Sequence, residues 1–392
     1  MNRLQLRSSQ TLPHDLYRGA LAGRIWLPQI QGPSIVAVRQ EGVVDVTATF
    51  ATMRDLCEEA DPAASLRSAR GEILASLEDV LANTPPDARD PAKSWLLAPI
   101  DLQAIKAAGV TFAASMLERV IEERARGDRA AAAALRAELV GLIGEDLAKL
   151  KPGSPAAMRL KEALIAKGAW SQYLEVGIGP DAEIFTKGQP MSAVGHGADA
   201  GFHHASQWNN PEPEVVLAVN SKGKTVGASL GNDVNLRDVE GRSALLLGKA
   251  KDNNASCAIG PLLRLFDESF SMDDIREMDV RLTVEGPEGF RLEGASSIAK
   301  ISRDPADLVE QMIGPSHQYP DGAALFLGTM FAPVADRDAP GRGFTHKEGD
   351  IVTVAADKLG GLVNRMRHSR DCPPWTFGVA SLMRNLAKRG LL

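Results

Sequence analysis

The sequence predicts a mixed α+β protein, mainly β, with a helical insertion and a small N-terminal domain that contains β-structure. Three observations carry this expectation. Residues 18–47 (RGALAGRIWLPQIQGPSIVAVRQEGVVDVT) alternate apolar and polar positions between Gly/Pro breaks, as short antiparallel strands do. From Tyr173 onward the chain reads as strands punctuated by glycine and proline, with few helix signals. Between these regions, Leu135, Leu139, Leu142 and Leu147 recur at near-helical spacing around the alanine-rich run RAAAAALRAEL.

The elements follow in order. Residues 52–83 read as helices broken at Pro62, and NTPPDARDP (Asn83 to Pro91) reads as a linker. A strand is expected at WLLAPI (Trp95 to Ile100), then a helical insertion over 113–170 with a Pro-Gly-Ser-Pro interruption at 152–155. A basic helix, ASLMRNLAKRGLL, closes the chain. The division into an N-terminal domain (1–92) and a catalytic domain (93–392) suits a chain of 392 residues.

Composition narrows the function. With 44% hydrophobic and 24% charged residues, the chain is an ordinary globular one. A formal charge of −6 and a pI near 5.7 argue against nucleic-acid or anionic-membrane partners. Cys57, Cys257 and Cys372 have neither metal nor disulfide spacing. The start, MNRLQLRSSQTLPHDL, lacks the apolar core of a signal peptide, and no window approaches a membrane span, so a cytoplasmic protein is expected.

The informative stretch is NNPEPEVVLAVNSKGKTVGASLGNDVNLRD, Asn209 to Asp238. Side chains two apart on a strand share a face, so Glu212 and Glu214 stand side by side at the head of a buried run. Two like charges there are unstable unless protonated, paired or bound to a cation. Lys222-Gly223 signals a two-residue hairpin turn, in whose register Val216 faces Ser229 and Glu212 faces Asp233. Three carboxylates then converge, and such hard oxygen donors favour Mg²⁺, Ca²⁺ or Mn²⁺ over zinc. A solvated acidic strand end would carry the same spacing.

These residues resemble the fumarylacetoacetate hydrolase superfamily of metal-dependent enzymes acting on 2-oxo acids. The family's E-x-E pair is similar to Glu212-Pro213-Glu214, and its third metal carboxylate to Asp233 in NDVNLRD. Its lysine nine residues before a Gly-Pro matches Lys251, and its late Gly-Thr matches Gly328-Thr329. Its Gly-Asp turn matches Gly349-Asp350, and its P-x-S-x-x-G-x-G string matches Pro190, Ser192, Gly195 and Gly197. The ordered set covers roughly residues 95–392.

One departure bears on the reaction. Where hydrolase members carry N-Y-x-x-H-A-x-E, this chain has TFAASMLE, which keeps the glutamate as Glu118 but puts Ser115 in place of the histidine. The imidazole that would activate water is missing. With the long helical insertion, this is similar to the branch of the family that dehydrates 2-keto-3-deoxy-pentonates. The resemblance implies a Mg²⁺ ion (Mn²⁺ or Ca²⁺ in its place) on Glu212, Glu214 and Asp233, with Glu118 and Lys251 as acid/base and charge-stabilising groups. It implies Ser192, Thr329 and Ser115 at the substrate, Arg237 bracing a neighbouring carboxylate, and a homodimer or homotetramer. Glu240 stands where many hydrolases have glutamine.

Bland alternatives accompany each role: Glu118 as a solvated helix carboxylate, Lys251 in a surface salt bridge. A C–C hydrolase of 2,4-diketo or acylpyruvate acids is the competing enzyme, and a metal-binding sugar-acid sensor without turnover is the non-enzymatic one. GHGADAG lacks a P-loop lysine, and His203-His204 would point to opposite faces of a strand. Cys257 reads as a small buried residue, and Asp267 to Asp279 as a solvated helix without calcium-loop spacing.

Overall fold

In a computed structural model, residues 4–392 are described except 127, 129–130, 132–149, 167–169, 332, 334 and 341. The leucines at 135, 139, 142 and 147 therefore lie outside the described residues. Early helices are α1 (Ser8–Thr11), α2 (Met53–Glu58), α3 (Pro62–Ser68), α4 (Leu77–Ala82) and α5 (Ala113–Arg124). Pro62 does mark a break: it starts α3, where Asp61 caps the Ala64 N–H.

Strands β1 (Ala20–Leu27), β2 (Gly32–Arg39), β3 (Gly42–Asp45), β4 (Ile73–Ala75) and β5 (Trp95–Leu97) form the N-terminal part of an eleven-stranded sheet. The rest is β6 (Ala104–Gly109), β7 (Glu183–Gly188), β10 (Pro213–Val219), β11 (Thr225–Asp233), β13 (Cys257–Leu265) and β16 (Ala323–Phe326). Its order is β4-β3-β2-β1-β13-β11-β10-β16-β6-β7, with β5 on β1. N-terminal and later strands thus share one sheet through the antiparallel β1–β13 pair. The Asn83–Pro91 stretch is a fastened loop, because the Asn83 amide donates to the carbonyls of Asp90, Lys93 and Ser94.

A five-stranded sheet lies beside the first, ordered β15-β14-β17-β18-β8. Its strands are β8 (Asp199–Phe202), β14 (Asp279–Glu285), β15 (Arg291–Ser297), β17 (Ile351–Ala356) and β18 (Gly360–His368). A two-stranded ribbon pairs β9 (Asn209–Asn210) with β12 (Asn235–Leu236). On β10, Val215, Leu217 and Val219 join Val280, Leu282, Val352 and Val354 in one core, while Val216 on the other face joins Ile105, Ile259 and Phe326. Burial on both faces explains the unbroken VVLAV run.

The hairpin register is as expected at the acidic end, but the turn is not. Three residues, Ser221 to Gly223, form the loop, with Gly223 at φ +78° and the Asn220 N–H donating to the Lys224 carbonyl. This displaces the pairing by one at Val219–Thr225, and a bulge restores it at Ala218–Gly227, so Val216 still faces Ser229. Within the expected insertion, α5 packs with the helices Pro155–Ala166 and Gln172–Ile178 around Met116, Val120, Tyr173 and Leu174. In the acidic stretch after Phe266 only Met272–Arg276 is helical, and Asp267 is bridged by Arg67. The C-terminal helix, Val379–Lys388, is tied to the turn before β2 by Asn385, which donates to the Ile30 carbonyl, and to β2 by Arg389, which donates to the Pro33 carbonyl. Among the described residues, no helix is long and apolar enough to cross a membrane.

Candidate metal centre and active site

Glu212 and Glu214 stand at the head of β10, and Asp233 at the adjoining end of β11, where its N–H donates to the Glu212 carbonyl at 3.0 Å. All three side chains are buried, and each offers a carboxylate oxygen within 4.8 Å of the other two. The pleat thus converts an E-x-E spacing and a hairpin into a three-carboxylate cluster.

Cations and donors surround the cluster. Lys251 Nζ lies 2.5 Å from Glu212 Oε2 and 3.0 Å from Asp233 Oδ2. The other Glu212 oxygen accepts from Arg119 of α5, and the other Asp233 oxygen is 2.7 Å from Lys187 Nζ. Glu214 accepts from the Gly328 N–H at 2.7 Å and the Thr329 hydroxyl at 3.3 Å. Each acid is therefore oriented from outside, as metal-binding carboxylates are.

Burial raises the proton affinity of Glu212, but Lys251 and Arg119 outweigh it and hold the carboxyl at about 2. Glu214 goes the other way: burial, Asp233 and Glu212 raise it well above the usual carboxylate range. Burial works against the Lys251 charge, yet Asp233 and Glu212 keep it protonated. Three crowded acids, one pushed toward its neutral form by the other two, fit a divalent cation with hard oxygen ligands. Glu212, Glu214 and Asp233 would hold it.

Glu118 accepts from Arg237 at 2.9 Å, and the Arg237 guanidinium lies 4.4 Å from the Trp208 ring centre. Arg237 thus braces a carboxylate. Thr329 sits at the cluster through Glu214, whereas the Ser192 hydroxyl donates to the Gln189 carbonyl at 2.7 Å. Ser192 lines a cavity of about 220 Å³ walled by Trp26, Trp95 and Phe377, whose lining includes none of the three acids. The Ser115 side chain lies outside the described residues. Cys257 is buried, its thiol pushed up to about 12 by burial. His203 and His204 stack on each other at 4.5 Å in a turn.

Sequence reasoning missed one face of β7. Glu183, Phe185 and Lys187 alternate along it. Lys187, fully buried, reaches Asp233 and the carbonyls of Lys251 (2.6 Å) and Val234 (3.2 Å). The Phe185 ring lies 5.7 Å from Lys251 Nζ. Burial pushes the Glu183 carboxyl up to about 7; Glu240 and Glu212 add to the rise, and Arg119 and Lys251 oppose it. The signal available was E-x-F-x-K at period two, three strands before the E-x-E strand in the chain. Arg119 was also missed, although it sits beside Glu118.

A family model described as fumarylacetoacetate (FAA) hydrolase C-terminal matches residues 169–367, about half the chain. The chain belongs to the fumarylacetoacetate hydrolase family. Over 188 residues it is 29% identical to the 2-dehydro-3-deoxy-D-arabinonate dehydratase of Saccharolobus solfataricus, covering 48% of this chain and 59% of that one. Over 192 residues it is 29% identical to a Haloferax volcanii protein named "Probable 2-keto-3-deoxyxylonate dehydratase", covering 49% and 62%. The chain thus matches less than two thirds of either relative's length. A solved 2-keto-3-deoxy-D-arabinonate dehydratase, complexed with magnesium and 2,5-dioxopentanoate, superposes with a TM-score of 0.59 at 18% identity, over 89% of this chain and 99% of that one. This fumarylacetoacetate hydrolase fold places the E-x-E strand, the β11 aspartate and the lysine in one buried cluster.

Proposed function

We propose that the protein is a Mg²⁺-dependent hydro-lyase that converts a 2-keto-3-deoxy-pentonate into 2,5-dioxopentanoate. The carrying observation is the buried cluster of Glu212, Glu214 and Asp233 with Lys251 Nζ 2.5 Å from Glu212 and 3.0 Å from Asp233; Glu183 of β7 adds a carboxyl that burial pushes up to about 7. A group with that proton affinity can both take and return a proton near neutral pH. The dehydratase names of the two relatives support the same chemistry. Magnesium and 2,5-dioxopentanoate in the solved neighbour support the metal and the product.

Held by Glu212, Glu214 and Asp233, a divalent ion would supply Lewis acidity toward a bound 2-oxo acid and so would acidify its C3 protons. Glu183 accepts a C3 proton and returns it to the departing C4 hydroxyl, so the C4–O bond breaks and water leaves. The Lys251 ammonium opposes the negative charge that develops on the ketone oxygen. A proton shift from C5 to C3, then an enol-to-aldehyde shift from O5 to C4, yields the aldehyde. The net change is loss of one water. Glu118 is the alternative acid/base, and Thr329, Ser192 and Ser115 are the candidates for substrate contact. Neither route needs an imidazole to activate water, consistent with Ser115 in the histidine's place. A cytoplasmic homodimer or homotetramer completes the proposal.

The test is an NMR product assay over a panel of 2-keto-3-deoxy acids, with and without chelator. Chelator-sensitive appearance of 2,5-dioxopentanoate supports the dehydratase. Pyruvate plus a second carboxylic acid from 2,4-diketo acids would establish the hydrolase instead. Ligand-dependent thermal stabilisation without any product would establish a sensor.

A further inference from the structure

Two consecutive residues of α5 engage the short helix Arg237–Glu240 with reversed charges. Glu118 meets Arg237 at 2.9 Å, and Arg119 meets Glu240 at 2.7 Å. Arg119 does more, because it also donates to Glu212. Arg119, 8% exposed, therefore links α5 to a proposed metal ligand and to a second acid at once. We propose that Arg119 is a positioning residue through which occupancy of the metal centre and the seating of α5 are coupled.

The geometry supports this in two ways. Glu212 has one oxygen on Lys251 and the other on Arg119, so the orientation of its carboxylate depends on where α5 holds the guanidinium. Glu240 fixes the Arg119 fork from the far side, and a planar guanidinium bridging two carboxylates has few alternative placements. Coupling of this kind is reciprocal: if seated α5 favours the metal-competent Glu212, metal binding favours seated α5.

This inference rests on the metal-centre reading, and one experiment separates the two. Magnesium chloride alone is titrated by calorimetry, and amide exchange over 113–124 is followed with and without saturating Mg²⁺. Wild type should bind Mg²⁺ and slow its α5 exchange. Arg119→Gln should weaken Mg²⁺ about 10- to 100-fold, the cost of losing an outer-sphere partner, and at saturation its α5 exchange should no longer respond. The protection gained in wild type and the affinity lost in the variant should be of the same order. Glu240→Gln, which loosens the fork but leaves Arg119 on Glu212, should give a response between those of wild type and Arg119→Gln. If Arg119→Gln does not fold, Arg119→Lys, which lacks the fork, should show a reduced response. Mg²⁺ binding by wild type without any α5 response overturns the coupling alone, as does a full response in the Arg119 variants. Absence of Mg²⁺ binding by wild type overturns the metal centre and the coupling with it. A residue that merely packs α5 would change exchange equally with and without Mg²⁺.

Discussion

Lys251 Nζ lies 2.5 Å from Glu212 Oε2, so the ammonium sits against the same acid that the E-x-E spacing offers to a metal. Its second contact, 3.0 Å to Asp233, makes it the cationic bridge of the cluster. Asp233→Asn should therefore remove more than one ligand's charge: it leaves Lys187 and Lys251 facing an amide. Mg²⁺ affinity should fall by more than the roughly 100-fold that an outer partner costs, and turnover should fall with it. Calorimetry and the product assay check this; wild-type turnover in that variant would remove the metal centre from the mechanism.

Glu183→Gln and Glu118→Gln separate the two acid/base candidates. Loss of the proton carrier should slow deuterium exchange at substrate C3 by about 10²- to 10⁴-fold with Mg²⁺ binding retained. The larger effect is expected at Glu183, since Glu118 is engaged by Arg237. NMR of the substrate in D₂O reads it directly, and unchanged exchange in Glu183→Gln would return the role to Glu118.

The pH profile follows from the same carboxyl. As the proposed base, Glu183 would act when ionised, so kcat/KM should rise as pH rises through about 7, and Glu183→Gln should lose that limb. Stability runs the opposite way. A carboxyl raised from 4.5 to about 7 in the fold binds its proton better there, so its contribution is fully present below 4.5 and is lost as pH rises through about 7. Denaturation curves at pH 5 and pH 8 should differ less in Glu183→Gln than in wild type.

Gly109 lies directly across from Glu183 in the β6–β7 pair, and a Cβ there would overlap the Glu183 carboxylate. Gly109→Ala should push the carboxylate aside and lower kcat on the order of 100-fold, the typical effect of a displacement near 1 Å. Mg²⁺ affinity should stay near the wild-type value. Equal losses in both would mean the substitution disturbs the sheet instead.

Asp350 tests the framework. It is fully buried and bridged by both Arg337 nitrogens, at 2.6 and 2.7 Å, with His346 Nδ1 at 3.1 Å. Asp350→Ala leaves the Arg337 guanidinium with only Glu288 and the Thr345 carbonyl as partners and should cost on the order of 2–3 kcal/mol in urea denaturation. Burial raises the Asp350 carboxyl, but Arg337 and His346 outweigh it and bring it to about 2, so its contribution is present above 3.8 and lost as pH falls through about 2.

Several features of the site could be read from residues alone because they are local. The period-two placement of Glu212 and Glu214 needs only a strand, and the pairing of Glu212 with Asp233 only a hairpin. Even the turn error was harmless, since the extra loop residue and the bulge near Val226 cancel. Glu183 and Lys187 left only the period-two E-x-F-x-K pattern, and Arg119 only its place beside Glu118, because they arrive from β7 and α5 and nothing near Glu212 in the sequence announces them.

By itself, the sequence determined the acid cluster and the class of ion it suits, through alternation and chemistry confined to one hairpin. Only the tertiary structure decided which cations hold those acids and which carboxyl stays near neutrality. The reason is that charge balance in a buried site depends on distances across sheets and helices, and chain spacing does not encode those.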